Sequence, residues 1–310
     1  MDHKHDRSPN WGALFAWLSL SMLPVASYWT NIQPQQATHI SAPEITTLNN
    51  EPAKPQFDGL PEGDSRKQAF IDFFLPLVAD ENARIVSLRK QLESTQRMVR
   101  AGALLTDEQL RALEAISQEF GTDFKRENFE MDPNRFISSL LMRVDEVPAA
   151  LAIAQSAIES GWGTSRFSVQ GNNFFGHMCE EDGCGISSKA LGPNQEALKF
   201  KTPRDAVRSY LVNLNSNPAY TNLRLLRAEL RGQGRTPSGC MLANGLRKYS
   251  ERGESYVDQV KNLIRMNNLE DENACKIRAT HNVKRITTAP AKRAIQPYEL
   301  ARTEVGDVKS

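Results

Sequence analysis

Histidine is scarce in this chain, and four of its five copies fall towards the ends, leaving His177 alone inside the region that reads as folded. No HExxH pair, glycine-rich phosphate loop or GxSxG elbow occurs, so the corresponding metal, nucleotide and serine-hydrolase chemistries have no marker. A Ser-His-Asp site, or a thiol–His site using Cys240, would have to be assembled around His177, and nothing flags either. Net charge is missing too. The 38 Lys and Arg nearly cancel the 37 Asp and Glu, which leaves no basic field for nucleic acid and no acidic solvating tail. Internal repeats are absent. What remains, 310 residues of which 40% are hydrophobic, is enough for one or two buried cores.

The start is organised differently from the rest. Lys4 and Arg7 precede an apolar run from Trp11 to about Trp29, the n-region and h-region of an export signal. Val25-Ala26-Ser27 offers a small-residue cleavage site. Uncleaved, a run of ~19 residues is also long enough to span a bilayer. Residues 1–30 are therefore expected to be an export signal or a membrane anchor through residues 11–29. Export places the four cysteines in an oxidising compartment. Cys179 and Cys184 enclose only "EEDG" and are expected to bridge, while a Cys240–Cys275 pair stays open. Zinc held by His177, Cys179 and Cys184 is the alternative, and export argues against free thiolates. No metal and no cofactor is expected.

Residues 31–64 carry five prolines and few large apolar side chains, so they read as a linker. From Ser65 the pattern turns helical, with Phe70, Phe73, Phe74 and Leu77 at helical spacing and Ile85, Leu88 and Leu92 continuing it. Thr106 and Gln109 form a capping box, and Asp132-Pro133 opens a further helix. A helix beginning near Pro148 carries Leu151, Ala154 and Ile158 and ends by Gly161. Residues 171–200 have room for a small hairpin. Thr202 and Asp205 cap another helix, and three more follow near 220–231, 238–246 and 254–267. Beyond Cys275, eight basic residues face three acids with little to bury, which reads as a disordered tail. The fold class is mainly α: a helical segment over 65–128, then a mostly helical domain over 129–272 with a small β portion.

Elimination leaves a carboxylic acid as the candidate catalyst, and Glu159 is placed for it. It falls in the last turn of its helix, where the negative end of the dipole disfavours another negative charge. Ile158 and Trp162 stand ready to desolvate it, and the nearest cation along the chain is Arg166. A glutamic acid kept protonated near neutrality is what general-acid cleavage of a glycosidic bond needs. Trp162, Asn173, Phe174 and Phe175 follow closely, and rings and amides suit the faces, hydroxyls and acetamido groups of amino sugars. The plain alternatives are a glutamate decorating a helix end and a packing turn behind it.

"AIESGWGTSRF" followed by "NNFFGHMC" resembles the active-site segment of exported β-N-acetylglucosaminidases of glycoside hydrolase family 73, in particular their Bax-type members from Gram-negative bacteria. The likeness continues through "LRKYSERGESYVDQV" and covers about residues 134–268. The resemblance implies a lysozyme-like fold with a small β-lobe and hydrolysis of peptidoglycan glycan strands between N-acetylglucosamine and N-acetylmuramic acid, without a metal, in the periplasm or cell envelope. It makes Glu159 the general acid, Tyr249 a cleft tyrosine supporting the reacting centre, and Trp162, Asn173, Phe174 and Phe175 groove residues. Tyr210 matches a position that is core or binding. The second carboxylate of some members has no clean match here. Glu180, Glu181 and Asp182 read as a hairpin tip, and Glu196, near Phe200, is the inward-pointing candidate, with assistance from the substrate's acetamido group as the alternative. Two other readings remain open: a lytic transglycosylase using the same acid, and a wall-binding scaffold that cuts nothing.

Overall fold

A computed structural model describes residues 52–179, 183–187 and 195–275. The expected signal or anchor, most of the expected linker, the acids Glu180 to Asp182 and the tail beyond residue 275 lie outside these residues. Among the described residues no helix is long and apolar enough to cross a membrane.

The longest element is α1 (Asp64–Arg100), 37 residues and therefore ~55 Å at 1.5 Å per residue. Its buried stripe runs Phe70, Phe73, Phe74, Leu77, Val78, Glu81, Ile85, Leu88 and Leu92, the spacing that keeps one face inward. Pro76 lies inside it without ending it. Pro76 and Asp72, whose carbonyl loses its helical partner, are both on the exposed face, so the carbonyl is not buried without a partner. α2 (Asp107–Glu119) starts at the Thr106–Gln109 capping box. α3 (Arg126–Met131) is short, and α4 (Pro133–Arg143) opens with the Asp132 side chain accepting from the Arg135 amide. Next comes α5 (Ala149–Ser160), almost wholly buried, closed by Gly161 in the left-handed conformation. α6 (Arg166–Gly171) is capped by Ser165.

The β portion is a two-stranded antiparallel sheet of β1 (Gly185–Ser187) and β2 (Glu196–Leu198), with Ile186 opposite Ala197. Met178 bridges to Ala197 from the other edge, so β2 is held on both sides. α7 (Pro203–Ser216) starts at the Thr202–Asp205 capping box. α8 (Thr221–Gly232), α9 (Gly239–Leu242), α10 (Glu254–Met266) and α11 (Glu272–Cys275) complete the chain's described part. The result is mainly α with a small β-lobe, consistent with a lysozyme-like fold.

One hydrophobic cluster links the first helices to the last: α1 packs on α4, α5 and α7, and α5 packs on α9 and α10. The segment ahead of the expected catalytic region is thus part of the same core. The largest buried charged side chain in it is well paired. Arg227, 1% exposed, donates to the carbonyls of Met142, Arg143, Asp145 and Glu146 and so caps the end of α4. Two disulfides are present: Cys179–Cys184 closes the loop leading into β1, and Cys240–Cys275 ties α11 to α9. The first is the expected bridge, and the second settles the pairing that the sequence left open. With the Cys179 and Cys184 sulfurs bonded to each other, the zinc alternative at His177 loses its thiolates.

Candidate active site

α5 is built from small residues, "AALAIAQSAIES", which lets neighbouring elements approach its backbone closely. Its buried hydroxyls bond within the turn: Ser156 donates to the Ile153 carbonyl and Ser160 to the Ser156 carbonyl. Ser160 in turn accepts from the Gly163 amide. That packing fixes the last turn of the helix and, with it, Glu159.

Glu159 is half-buried, and its Oε1 accepts from the Tyr256 hydroxyl at 2.7 Å. Tyr256 accepts from the Gln155 amide at 2.9 Å, and Gln155 accepts from the Tyr210 hydroxyl at 2.7 Å. The chain of donors therefore runs Tyr210, Gln155, Tyr256, Glu159, each proton pointing towards the acid. Tyr249 stacks on Tyr256 with ring centroids 5.5 Å apart, and Tyr220 lies 5.8 Å from Tyr249. Burial raises the Glu159 pKa above the ordinary carboxylate value, and the Tyr256 hydrogen bond and the nearby Arg252 charge offset only part of that rise. Burial holds the Tyr256, Tyr249 and Tyr210 hydroxyls well above their usual range, so they stay protonated donors.

The other carboxylate oxygen faces Gly176. A Cβ there would sit 3.3 Å from Oε2, and the backbone at φ +69° is one that side chains rarely adopt. Glycine keeps that oxygen open. Beyond Gly176 the chain lines a cavity of about 600 Å³ bounded by His177, Met178, Leu198, Ser209, Val212 and Asn213. His177 bonds Ser209 Oγ through Nδ1 at 3.1 Å, and burial pushes its pKa down to about 4. It is neutral at physiological pH.

Several expected groove residues turn out to be framework. Phe174 and Phe175 are 0% and 1% exposed and present no face to a sugar. Phe174 packs edge-on against Phe74 of α1, with centroids 4.8 Å apart, and Phe175 stacks on Tyr210 at 4.2 Å. Asn173, 2% exposed, donates to the His177 and Leu198 carbonyls and accepts from the His177 amide, so it shapes the loop. Trp162 is partly buried with φ 58° and meets Phe70 edge-on. Tyr249 spends its hydroxyl on the Phe175 carbonyl at 2.8 Å rather than on Glu159. Its position stays beside the acid, stacked on the tyrosine that does touch it.

Glu196 does not point inward. Its oxygens accept from Ser187 Oγ and the Gly185 amide across the hairpin, and those bonds hold its carboxyl below the usual range. Strand alternation explains the difference: Ala197 takes the buried face, which turns Glu196 away. Conversely, Tyr256, Gln155 and Arg252 carry the acid's surroundings and were not singled out from sequence. The available signal was the stretch "LRKYSERGESYVDQV" itself, which holds both Tyr249 and Tyr256.

Comparison with known proteins agrees with this geometry. Residues 139–292 match the family model described as mannosyl-glycoprotein endo-beta-N-acetylglucosaminidase. The chain is 31% identical over 202 residues to the protein named Protein bax from Escherichia coli (strain K12), an overlap spanning 65% of this chain and 70% of that relative. No solved structure matches significantly. The acid on α5, its tyrosine partners, the helical core with one small hairpin and these two matches lead to one conclusion: the chain belongs to the Bax-type glucosaminidases, a glycosidase family.

Proposed function

We propose that the protein hydrolyses peptidoglycan, cutting the β-1,4 bond between N-acetylglucosamine and N-acetylmuramic acid with Glu159 as general acid. The observation that carries this reading is the asymmetric setting of the Glu159 carboxyl. Tyr256 donates to Oε1 and burial favours the neutral form, so the proton belongs on Oε2, the oxygen left open beside Gly176. From there it passes to the glycosidic oxygen as the bond to the anomeric carbon breaks, and water completes the hydrolysis. Tyr249 supports the centre through Tyr256 and the Phe175 carbonyl.

The acid's surroundings also favour a second reading. Among the described residues no other carboxylate contributes to the environment of Glu159, and Glu196 is occupied in the hairpin. A single acid suits assistance by the substrate's acetamido group, and it equally suits a lytic transglycosylase in which a sugar hydroxyl displaces the leaving group. Product analysis of digested sacculi separates the two. Reducing-end N-acetylglucosamine supports the glucosaminidase, and an anhydro-muramic end supports the transglycosylase. A wild type that binds sacculi and releases no fragments would leave only a scaffold. The apolar start of the chain and the two disulfides support a location in the periplasm or cell envelope. Fractionation of cells making the full chain tests that location and decides between a released and a membrane-held form.

A further inference from the structure

The two oxygens of Glu159 face surroundings of different charge. On the Oε1 side, Tyr256 carries the Arg252 guanidinium over its ring, with Cζ 5.2 Å from the centroid. Arg252 is exposed and donates from Nη1 to the neutral Gln259 Oε1 at 2.6 Å. Its Nε makes only a 3.5 Å contact to Ser250 Oγ. Among the described residues no carboxylate pairs with it, although Glu251 and Glu254 flank it in sequence, because Glu254 is taken by Arg247 at 2.7 Å. Oε2 faces Gly176, and the cavity that begins at the next residue, His177, is lined by hydroxyl, amide and apolar side chains, with His177 itself neutral. None of its described lining residues is charged at neutral pH.

The substrate has the same asymmetry. Peptidoglycan strands alternate a neutral amino sugar with one that bears a lactyl arm, and that arm ends in a carboxylate or in an acidic stem peptide. We infer that Arg252 is a specificity residue that receives a carboxylate carried on the lactyl arm, while the neutral cavity beside Gly176 takes the uncharged amino sugar. The inference rests on the glycosidase reading and adds to it a direction for the strand across Glu159. The guanidinium suits the role: it is a planar fork of donors that matches a carboxylate with two parallel bonds. Its seat on the ring of Tyr256, the tyrosine that bonds Glu159, orients the fork before substrate arrives. Being exposed, the contact is screened by salt, so the preference weakens as ionic strength rises.

The test compares three strand preparations: peptides intact, peptides removed to free the lactyl carboxylate, and all carboxylates converted to amides. Wild type is expected to show kcat/KM about tenfold higher on carboxylate-bearing strands than on amidated ones, the scale of one charge-assisted contact, mostly through KM. Arg252→Gln brings that ratio close to one, and Arg252→Lys keeps part of it. A preference for peptide-free strands over amidated ones identifies the lactyl carboxylate, and one confined to intact strands identifies the stem peptide. A ratio near one in wild type, or one that Arg252→Gln leaves in place, overturns the assignment. Binding of the same strands to Glu159→Gln, with and without Arg252→Gln, reads the preference without turnover. Failure of wild type to cut any strand then counts against the glycosidase reading, and loss of the binding preference counts against Arg252.

Discussion

Glu81 on α1 and Glu159 on α5 are glutamates set into two helices that pack on each other, and they are treated in opposite ways. Glu81, 3% exposed, accepts from Arg84 Nε at 3.0 Å and from Arg208 Nε and Nη2 at 3.0 and 2.9 Å. Burial pushes its pKa up, and the two guanidinium groups more than cancel that, leaving the carboxyl below its ordinary value. Glu159 meets a tyrosine hydroxyl and a more distant guanidinium, so burial wins and its pKa stays raised. Burial alone does not make an acid catalyst. The partner's charge decides whether a buried carboxyl is a brace, joining α1 to α7, or a proton donor.

The largest effect should separate the two positions by activity. Glu159→Gln is expected to lower turnover of sacculi by ~10²–10⁴-fold, the usual worth of a general acid, with far-ultraviolet circular dichroism unchanged. Glu81→Gln should leave turnover within a few-fold. If both variants lose activity to the same degree, the distinction between brace and donor is gone.

Stability should reverse the order. Glu81→Gln leaves Arg208 without its anion, while Arg84 keeps Glu119, and is expected to cost ~2 kcal/mol, a fall of roughly 4–8 °C in Tm for a domain of this size. Tyr256→Phe is subtler, lowering turnover about tenfold through loss of one hydrogen bond to the acid. That bond lowers the Glu159 pKa, so its removal should move the alkaline limb of the pH–rate profile upward. An unmoved limb would mean that Tyr256 only packs.

The smallest effect concerns Glu159 and pH. Its folded pKa is raised, so stability is complete below the unfolded pKa of ~4.3 and is lost as pH rises through the folded value. Glu159→Gln, which cannot ionise, should therefore melt higher than wild type at neutral and alkaline pH and close to it near pH 4. Glu81, with its lowered pKa, carries the opposite slope: its stabilisation is present above the unfolded pKa and lost on acidification. A Glu159→Gln variant that melts lower than wild type at pH 8 would remove the argument from burial.

How much of this was legible in the sequence follows from distance along the chain. The capping boxes at Thr106 and Thr202 and the stop at Gly161 are signals within three or four residues, and they stand in the structure as read. The Cys179–Cys184 bridge is equally local. Tyr256 lies 97 positions from Glu159, and on α10 it shares the buried stripe of Val257, Val260 and Ile264, so periodicity reads it as core. Phe174 and Phe175 were misleading for a related reason. Aromatics beside an acid suggest a sugar platform, yet the phenylalanine face of α1 also needed partners, and Phe174 fills that place. Arg252 has no periodic signal at all. Its meaning comes from the ring beneath it.

The Cys240–Cys275 bond has a mechanical consequence. It encloses α10 within a covalent loop of 35 residues, worth about 4 kcal/mol in the chain-entropy account. Fraying from the C-terminal side, whether by a tug on the tail or by trimming with an exopeptidase, is arrested at residue 275 before it can loosen the turn that presents Tyr256. Reduction by a thiol would remove that stop, and the proton donor's aim would then depend on noncovalent packing alone.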